Sequence, residues 1–417
     1  MNLLKKYFRT NIVAVVIASL FSISVVSQAA ADGITWTSRT SADNDWTSVA
    51  YGNGLWVALS NDGTGNRVMT SPDGITWTSR TPAAVNEWQS VAYGNGLWVA
   101  VSYTGTGNRV MTSPDGINWT SRASATENRW MSLAYGNGLW VAVSDDGAGA
   151  ITNRVMTSPD GITWTSRTAA ANHVWRSVAY GNGLFVAVSD NGAGDVTNQV
   201  MTSPDGITWT SRTSAVHNRW FSVAYGDGLW VAVSYSGTGN RVMTSPDGIT
   251  WTSRTSAADN RWLSVAYGDG LWVAVSDAQF GNITNRVMTS PDGITWTSRT
   301  SAANNTWTSV AYGDGLWVAV SGSGTGNRVM TSGVIGLAER TTAAANAEAA
   351  RAAEAARKAK EQRELMEILA IIPKIGELTL SLGETTKALY STKCVKGKTV
   401  KYVNKGSKCP KGYVKKK

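Results

Sequence analysis

The sequence predicts an all-β protein, a seven-bladed β-propeller closed by its N-terminal strand, and three observations support this. The segment DGITW or DGINW occurs seven times at spacings of 41 to 45 residues, and AYGxGL(W/F)VA also occurs seven times. A period near 42 residues is typical of propeller blades or solenoid units. The last repeat stops at Ser332 without its DGITW segment, while the chain carries an unmatched copy at 32–40. One end therefore supplies the strand that the other lacks, as in a closed ring without capping units.

Each repeat contains four short segments rich in β-branched and aromatic residues: WxSVAY, LWVAVS, RVMTS and ITWTSR. Four strands per repeat make one propeller blade. Between the third and fourth strands, SPDG predicts a type I turn with a glycine bulge, and YGNG or YGDG predicts a tight turn between the first two strands. The predicted structural turn residues are Asp73, Gly74, Asp115, Gly116, Asp160, Gly161, Asp205, Gly206, Asp247, Gly248, Asp292 and Gly293.

Aromatic residues supply the candidate ligand-binding positions. All 20 tryptophans lie in the repeats, and seven of them begin the first strand of a repeat. Buried between blades, they would hold the ring together; exposed beside the Asn- and Asp-rich links, they would form stacking platforms for sugars. These seven are Trp46, Trp88, Trp130, Trp175, Trp220, Trp262 and Trp307. Tyr103 and Tyr235, in matching loops of the second and fifth repeats, are further exposed-aromatic candidates.

The N-terminus predicts export. Lys5, Lys6 and Arg9 precede an apolar run of 15 residues and then small residues around Ala29. This pattern is typical of a secretory signal peptide over 1–31, because the run is shorter than the ~20 residues of a membrane-spanning helix. An uncleaved membrane anchor is the alternative. Both interpretations place the rest of the chain outside the cytoplasm, secreted or at the cell surface.

The charge separates the repeats from the C-terminal region. Residues 32–332 carry 17 Arg, no Lys, 19 Asp and 2 Glu, a net −4, whereas 333–417 carry 18 Lys plus Arg against 8 Glu, a net +10. Residues 333–390 are Ala-rich and helical by propensity, which predicts a stalk, a coiled coil or a helix on the ring. Residues 391–417 carry ten Lys and no acid, and the alternation in KTVKYV predicts a small hairpin. The ten cations suit attachment to an anionic wall polymer, lipid or nucleic acid, and solubility alone is the alternative. Its two cysteines, Cys394 and Cys409, most simply form one disulfide, with metal ligation a poor second.

At SPDGITW the repeats resemble the Asp-box, or bacterial neuraminidase repeat, of sialidase-like propellers. Six copies match Ser, Asp, Gly and Trp, beginning at Ser71, Ser113, Ser158, Ser203, Ser245 and Ser290, although here Asp and Gly are adjacent. In that family the box is a hairpin turn remote from the active site, and it occurs in sialidases, other glycosidases, sorting receptors and photosystem assembly factors. A weaker resemblance to regulator-of-chromosome-condensation repeats also implies seven blades. The Lys-rich end, with CVKGK and KCPKGY, is similar to C-terminal segments of actinobacterial surface proteins.

No asymmetric catalytic set is visible in the repeats. A sialidase-type site needs an arginine cluster, a Tyr–Glu pair and an acidic Asp, yet the arginines recur in register, which favours stacking and pairing on blades. The only glutamates of the repeats, Glu87 and Glu127, and the two histidines, His173 and His217, occupy a variable link and suit surface positions. The loops at Asp145 and Asp190 have the oxygens that calcium binds but match no full loop pattern. Turn chemistry is favoured there, and no metal or cofactor is predicted.

The variable segments indicate where a ligand binds. The links between blades and the second-to-third strand loops are predicted to share one face, whereas the fixed turns occupy the other. The leading prediction is an exported, non-catalytic propeller that binds glycan or protein through this face, with the basic tail retained on an anionic cell-envelope polymer. Nucleic acid is disfavoured as a partner. A sialidase-like glycoside hydrolase and a structural or assembly-factor propeller are the alternatives.

Overall fold

A computed structural model describes residues 33–145, 153–190, 198–277, 284–333 and 391–416. These residues belong to two separate compact units, one formed by the repeats and one at the C-terminus. The regular elements of the described ranges are 31 β-strands, numbered β1 to β31 along the chain. The predicted signal peptide and, apart from Gly333, the predicted helical segment lie outside the described residues. Within the described part of the chain, no helix has the length and apolarity to span a membrane.

The first unit contains seven antiparallel four-stranded sheets, which confirms the seven predicted blades. The innermost strands are β2 (Trp46–Gly52), β6 (Trp88–Gly94), β10 (Trp130–Gly136), β14 (Trp175–Gly181), β18 (Trp220–Gly226), β22 (Trp262–Gly268) and β26 (Trp307–Gly313). The second strands are β3 (Leu55–Ser60), β7 (Leu97–Ser102), β11 (Leu139–Ser144), β15 (Leu184–Ser189), β19 (Leu229–Ser234), β23 (Leu271–Ser276) and β27 (Leu316–Ser321).

The outer half of each blade is shorter. The third strands are β4 (Val68–Ser71), β8 (Val110–Ser113), β12 (Val155–Ser158), β16 (Val200–Ser203), β20 (Val242–Ser245), β24 (Val287–Ser290) and β28 (Val329–Ser332). The fourth strands are β1 (Thr37–Arg39), β5 (Thr78–Arg80), β9 (Thr120–Arg122), β13 (Thr165–Arg167), β17 (Thr210–Arg212), β21 (Thr252–Arg254) and β25 (Thr297–Arg299). Each fourth strand is only Thr-Ser-Arg, whereas the sequence predicted ITWTSR.

The N-terminal strand closes the ring, as predicted. β1 pairs antiparallel with β28 in the order β1-β28-β27-β26, with Thr37 opposite Thr331 and Arg39 opposite Val329. The Arg39 Nε donates to Thr331 Oγ1 at 2.9 Å, and the equivalent Arg–Thr bond recurs within the other blades, for example Arg80 to Thr70 at 3.0 Å. The seventh blade is therefore built from both ends of the repeat region. In consequence, every third strand has a fourth strand on its outer edge.

A repeated serine hydrogen bond joins each innermost strand to the next. The Val91 N–H donates to Ser48 Oγ at 3.2 Å, from the second blade to the first, and the pattern continues around the ring. The last such bond runs from the Val49 N–H to Ser309 Oγ at 3.2 Å, which joins the first blade to the seventh. The serine of WxSVAY thus supplies one polar contact at each of the seven blade boundaries.

The core lies between blades. In the cluster at the boundary of the seventh and first blades, Trp46, Trp56 and Met69 pack against Val318 and Val320. Six further clusters of the same composition occupy the other boundaries. Burying one indole removes ~150–250 Å² from water, which contributes roughly 4–6 kcal/mol before conformational entropy is counted. Tryptophan packing therefore stabilises the ring without disulfides in the propeller.

The SPDG turn is organised by its aspartate. The carboxylate of Asp73 accepts hydrogen bonds from the Ser71 hydroxyl and from the Ile75 and Thr76 N–H groups, each at 2.8 Å. These bonds hold Ile75 and Thr76 in the turn, which explains why the fourth strand begins only after the tryptophan. Gly74 has φ +72°, and a Cβ there would lie 2.7 Å from Leu316 of the neighbouring blade. The glycine of the predicted Asp-Gly turn therefore also packs against the neighbouring blade.

The YGNG and YGDG turns are two-residue hairpins of type I′, because both central residues have positive φ, as in Asn53 (49°) and Gly54 (75°). The glycine before them has a different role. A Cβ on Gly136 would lie 2.0 Å from the ring of Tyr180 in the next blade, and the same contact recurs at every boundary, ending with Gly313 and Tyr51. The tyrosine of one blade therefore packs on the bare backbone of its neighbour.

The C-terminal unit is a small sheet held by the predicted disulfide. β29 (Ser391–Lys396) lies between β30 (Thr399–Asn404) and β31 (Val414–Lys415), which confirms the hairpin and adds a third, short strand that was not predicted. Cys394 and Cys409 are bonded, with their Cα atoms 5.6 Å apart. Cys394 is fully buried.

Candidate functional site: a rim of arginine and aromatic side chains

The links between blades and the second-to-third strand loops lie together at the start of the innermost strands. In each blade the residue before the strand-start tryptophan accepts a backbone hydrogen bond from the first residue of the loop. Two examples are Tyr103 N–H to Glu87 O and Tyr235 N–H to Arg219 O, both at 2.8 Å. In six of the seven links an asparagine adds a side-chain bond to the loop, as where Asn44 Nδ2 donates to Asn66 O at 2.9 Å; the fourth blade has His173 at this position. In every blade this backbone bond therefore holds the first loop residue against the link.

A β-bulge follows each strand-start tryptophan. The pairing register shifts between the tryptophan and the serine two residues later, so the residue between them is left unpaired. A bulge changes the direction in which a side chain points. The bulged residue varies although the rest of the strand is nearly constant: Thr47, Gln89, Met131, Arg176, Phe221, Leu263 and Thr308.

Three variable positions per blade therefore surround this face, and we call them the rim. The first position is the residue before the tryptophan: Asp45, Glu87, Arg129, Val174, Arg219, Arg261 and Thr306. The second is the bulged residue. The third is the first residue of the loop: Asn61, Tyr103, Asp145, Asp190, Tyr235, Asp277 and Gly322.

Rim residues of the second and third blades meet at Arg129. Its guanidinium carbon lies 4.8 Å from the centre of the Tyr103 ring, and its Nη1 donates to the Tyr103 hydroxyl at 2.6 Å. Its Nε donates to Asp145 at 2.6 Å. The Asp145 side chain is 4% exposed, whereas that of Arg129 is 35% exposed. Burial raises the pKa of the Asp145 carboxyl, and Arg129 opposes that effect.

Asp190 links the fourth and fifth blades. Its carboxylate accepts from Arg176 Nη2 at 3.0 Å and from Arg219, which pairs with it from the next blade. Asp190 is 3% exposed, whereas Arg219 is 39% exposed. The hydrogen bond to Asp190 raises the pKa of the Arg219 guanidinium. The carboxylate thus lies beneath two cations, whose outer faces remain in contact with solvent.

Aromatic rings extend this arrangement to the sixth blade. Phe221 and Tyr235 stack with their ring centres 4.9 Å apart, and Arg219 lies 4.6 Å from the centre of the Tyr235 ring. Arg261 lies 4.5 Å from the same ring and pairs with Asp277 at 2.6 Å. Arg176 lies 5.1 Å from the centre of the Phe221 ring. We call the series Tyr103, Arg129, Arg176, Arg219, Phe221, Tyr235 and Arg261 the arginine–aromatic arc.

The arc does not continue through the seventh and first blades. Their bulged residues are Thr308 and Thr47, whose hydroxyls donate to the carbonyl oxygens of Trp46 at 2.6 Å and Trp88 at 2.7 Å. These hydroxyl groups donate hydrogen bonds to backbone carbonyl oxygens of the next blade, so the side chains are turned towards the scaffold. The rim is consequently asymmetric, although the scaffold beneath it repeats seven times.

The strand-start tryptophans are not part of the exposed site. Trp46 and its six equivalents, Trp88, Trp130, Trp175, Trp220, Trp262 and Trp307, are all 0% exposed. Indole N–H groups also bond inside the protein, as where Trp46 Nε1 donates to Ala42 O at 2.9 Å. These residues offer no face to a sugar, so the prediction that they form stacking platforms is wrong. Their position at the inner strand start places each ring in a core cluster between blades.

Tyr103 and Tyr235, by contrast, are half-buried members of the arc.

Other sequence candidates have structural roles. Glu127 bonds to Arg109 at 2.9 Å and to the Gly107 N–H, joining a link to a loop. Arg109, one of the arginines that recur in register, also bonds to the carbonyl oxygens of Gly105, Tyr103 and Asn128. Among the described residues no group of three His, Cys, Asp or Glu is placed to hold a metal ion.

Sequence reasoning missed five of the seven arc residues, namely the four arginines and Phe221. A signal was present, because the positions flanking each strand-start tryptophan vary while the surrounding WxSVAY does not. The missing information was geometric. Only the bulge and the boundaries between blades show which of these side chains meet.

Comparisons with known proteins support the fold. No family model and no curated protein matches the chain. Among solved structures, the chain is similar to YCF48 from Cyanidioschyzon merolae, with a TM-score of 0.53 and 13% identity over 72% of this chain and 98% of that one. It is also similar to YCF48 bound to D1 peptide, with a TM-score of 0.54 and 16% identity over 73% of this chain and 96% of that one. At these identities the similarity establishes a shared propeller fold.

Proposed function

We propose that the protein is an exported, non-catalytic propeller that binds an acidic segment of a partner protein through the arginine–aromatic arc. The observation that carries this proposal is the layering of charge in the arc. The side chains of Asp145 and Asp190 are buried, whereas those of Arg129 and Arg219 are 35% and 39% exposed. A ligand therefore meets cations and ring faces, which suit carboxylates and planar groups.

A protein ligand is favoured over a glycan by two considerations. The exposed sugar platforms expected from the strand-start tryptophans do not exist, because those rings are fully buried. A propeller of the same fold, YCF48, has been solved with a D1 peptide, so this architecture accommodates a peptide in at least one protein. The function proposed here is accordingly that of a binding or assembly-factor propeller, displayed at the cell surface or secreted.

The sialidase-like alternative gains no support from the arc. The hydroxyls of Tyr103 and Tyr235 accept hydrogen bonds from Arg129 and Arg261. A sialidase-type nucleophile would instead have a glutamate partner, and Glu127 is bonded to Arg109. A fluorogenic sialoside is therefore expected to remain uncleaved by the purified protein.

The direct test is selection from a displayed library of random peptides, with an array of acidic oligosaccharides in parallel. We expect peptides rich in Asp and Glu to be enriched, and the enrichment to fall at least about tenfold in the double variant Arg176→Gln/Arg219→Gln. Arg212→Gln is the matched control, because Arg212 bonds to Thr202 within a blade and is outside the arc. Selection without an acidic consensus, or equal selection by the double variant, contradicts the proposal. Sugar binding that depends on the same arginines would favour the glycan alternative.

A further inference from the structure

The C-terminal sheet exposes an apolar row that its own core does not use. The register places Val395 opposite both Val400 and Val414, so three valines cross the three strands side by side. Val400 is 43% exposed and Val414 is 73% exposed. Tyr402, which shares this face and lies opposite Lys393, is 52% exposed. We call Val395, Val400, Tyr402 and Val414 the valine face.

The other face of the same sheet is covered. Side chains alternate along β29, so Thr392 and Cys394 point away from the valine face. Thr392 is 6% exposed and Cys394 is fully buried at the disulfide to Cys409. The buried residues Thr392 and Cys394 thus lie on one side of the sheet, together with the disulfide. The valine face is not required for that core.

The described residues of this unit, 391–416, are rich in lysine and include no acidic residue. Residues 391–417 include ten Lys and no Asp or Glu. Lys393 shares the valine face, because it is paired with Tyr402 in the register. Lys401, on the other side of the sheet, lies over the Tyr413 ring at 5.4 Å. The sheet therefore combines an exposed apolar row with lysines on both of its faces.

We propose that the valine face binds the surface of an anionic lipid bilayer. The valines and Tyr402 would lie at the boundary between headgroups and acyl chains, while the lysines contact lipid phosphates. Each lysine near an anionic membrane strengthens binding about fivefold, and neither a small apolar patch nor a few cations suffices alone. From the sequence alone, the ten lysines suit an anionic wall polymer, lipid or nucleic acid, with an envelope polymer favoured. A hydrated polyanion satisfies the lysines but leaves exposed valines in water, so the apolar row favours lipid.

Vesicle co-sedimentation tests this proposal with the chain from residue 32 onwards, which keeps every described residue. The vesicles are phosphatidylcholine, alone or with about a quarter of phosphatidylglycerol. We expect binding to the anionic vesicles and a loss of about tenfold in the variant Val400→Ser/Val414→Ser. The control is Val85→Ser, because Val85 is an equally exposed valine (65%) in the propeller. Binding to soluble polyphosphate should be unchanged in the valine variant and weakened in Lys393→Gln/Lys398→Gln.

Mass spectrometry checks that the Cys394–Cys409 disulfide still forms in the valine variant, and far-UV circular dichroism checks that its strand content is unchanged. Unchanged vesicle binding by that variant overturns the proposal in favour of an anionic polymer. If the valine substitutions convert an oligomer in solution to a smaller species, the valine face binds a second copy of the chain and the lipid proposal is overturned. The proposal is independent of the arginine–aromatic arc, because vesicle binding is expected to survive Arg176→Gln/Arg219→Gln.

Discussion

The Arg219 guanidinium pairs with the buried carboxylate of Asp190 across the boundary between the fifth and fourth blades. Arg176 pairs with the same carboxylate from within the fourth blade. One acid therefore holds two cations of the arginine–aromatic arc in place. The pairing both orders the binding surface and joins two blades.

Replacing this acid should destabilise the propeller. Asp190→Asn keeps the shape of the side chain but removes its charge, so both guanidiniums lose their charged acceptor. We expect the free energy of unfolding at pH 7 to fall by about 1–3 kcal/mol, measured by urea denaturation. Asp259→Asn is the control, because Asp259 is 45% exposed and lies 3.6 Å from Arg241. That change should cost less than about 0.5 kcal/mol, and equal losses in the two variants would show that Asp190 has no special role.

The contact between Gly136 and Tyr180 predicts a second effect on stability. Gly136→Ala places a methyl group where the Tyr180 ring lies, and we expect a loss of about 1–3 kcal/mol from overpacking between blades. Gly138→Ala is the comparison. Gly138 has φ +77° and open space around its Cα, so its cost of about 1 kcal/mol arises from backbone strain alone.

A double-mutant cycle separates these two causes. Tyr180→Ala removes the ring that the new methyl group meets, so the losses from Gly136→Ala and Tyr180→Ala should be less than additive. Gly138→Ala should add its full cost to Tyr180→Ala. Strict additivity for Gly136→Ala would argue against the steric explanation.

The aspartates of the SPDG turns predict loss of stability in acid. Hydrogen bonds from the backbone N–H groups of Thr163 and Thr295 are the main cause that lowers the pKa of Asp160 and of Asp292, each to about 2. A depressed pKa in the folded state stabilises the fold above the unfolded pKa of about 4, and this stability is lost as the pH falls towards 2. The melting temperature should therefore be steady from pH 7 to 5 and fall below pH 4.

The variant Asp160→Asn/Asp292→Asn tests the assignment. It should have a lower melting temperature at pH 7 than the wild-type protein and a weaker pH dependence below pH 4, because two of the titrating groups are gone. If the slope below pH 4 is the same in both proteins, the acid sensitivity comes from other carboxylates.

Closure by β1 predicts the effect of a deletion. Removing residues 32–40 leaves β28 paired only with β27, with its outer edge open, and removes Trp36, which is 8% exposed in the core cluster of the seventh blade. We expect a fall in melting temperature of roughly 10 °C or more and association through the exposed edge, measured by calorimetry and light scattering. Added peptide of residues 33–40 should restore part of the loss. A deletion variant as stable and monodisperse as the intact protein would contradict this role of β1.

The sequence predicted closure of the ring because the repeat region begins with an unmatched fourth-strand segment and ends without one. It also predicted the Asp-Gly turns, because their chemistry is local. The burial of Trp46 could not be predicted from local sequence, since a tryptophan at a strand start suits either a core or a binding surface. Phe221 and Arg176 were missed because their exposure depends on a bulge, and a bulge is a property of strand register.

The bulge after each strand-start tryptophan separates what the ring needs from what the rim displays. Trp220 and Ser222 hold the blades together, and Phe221 between them is the residue that varies. The seven bulged positions lie on one face, so substitutions there can change the chemistry of the surface while the residues between blades stay the same. Libraries randomised at the bulged positions, with the buried acids Asp145 and Asp190 kept, would give a family of circular binding proteins that share one core and differ in what they recognise.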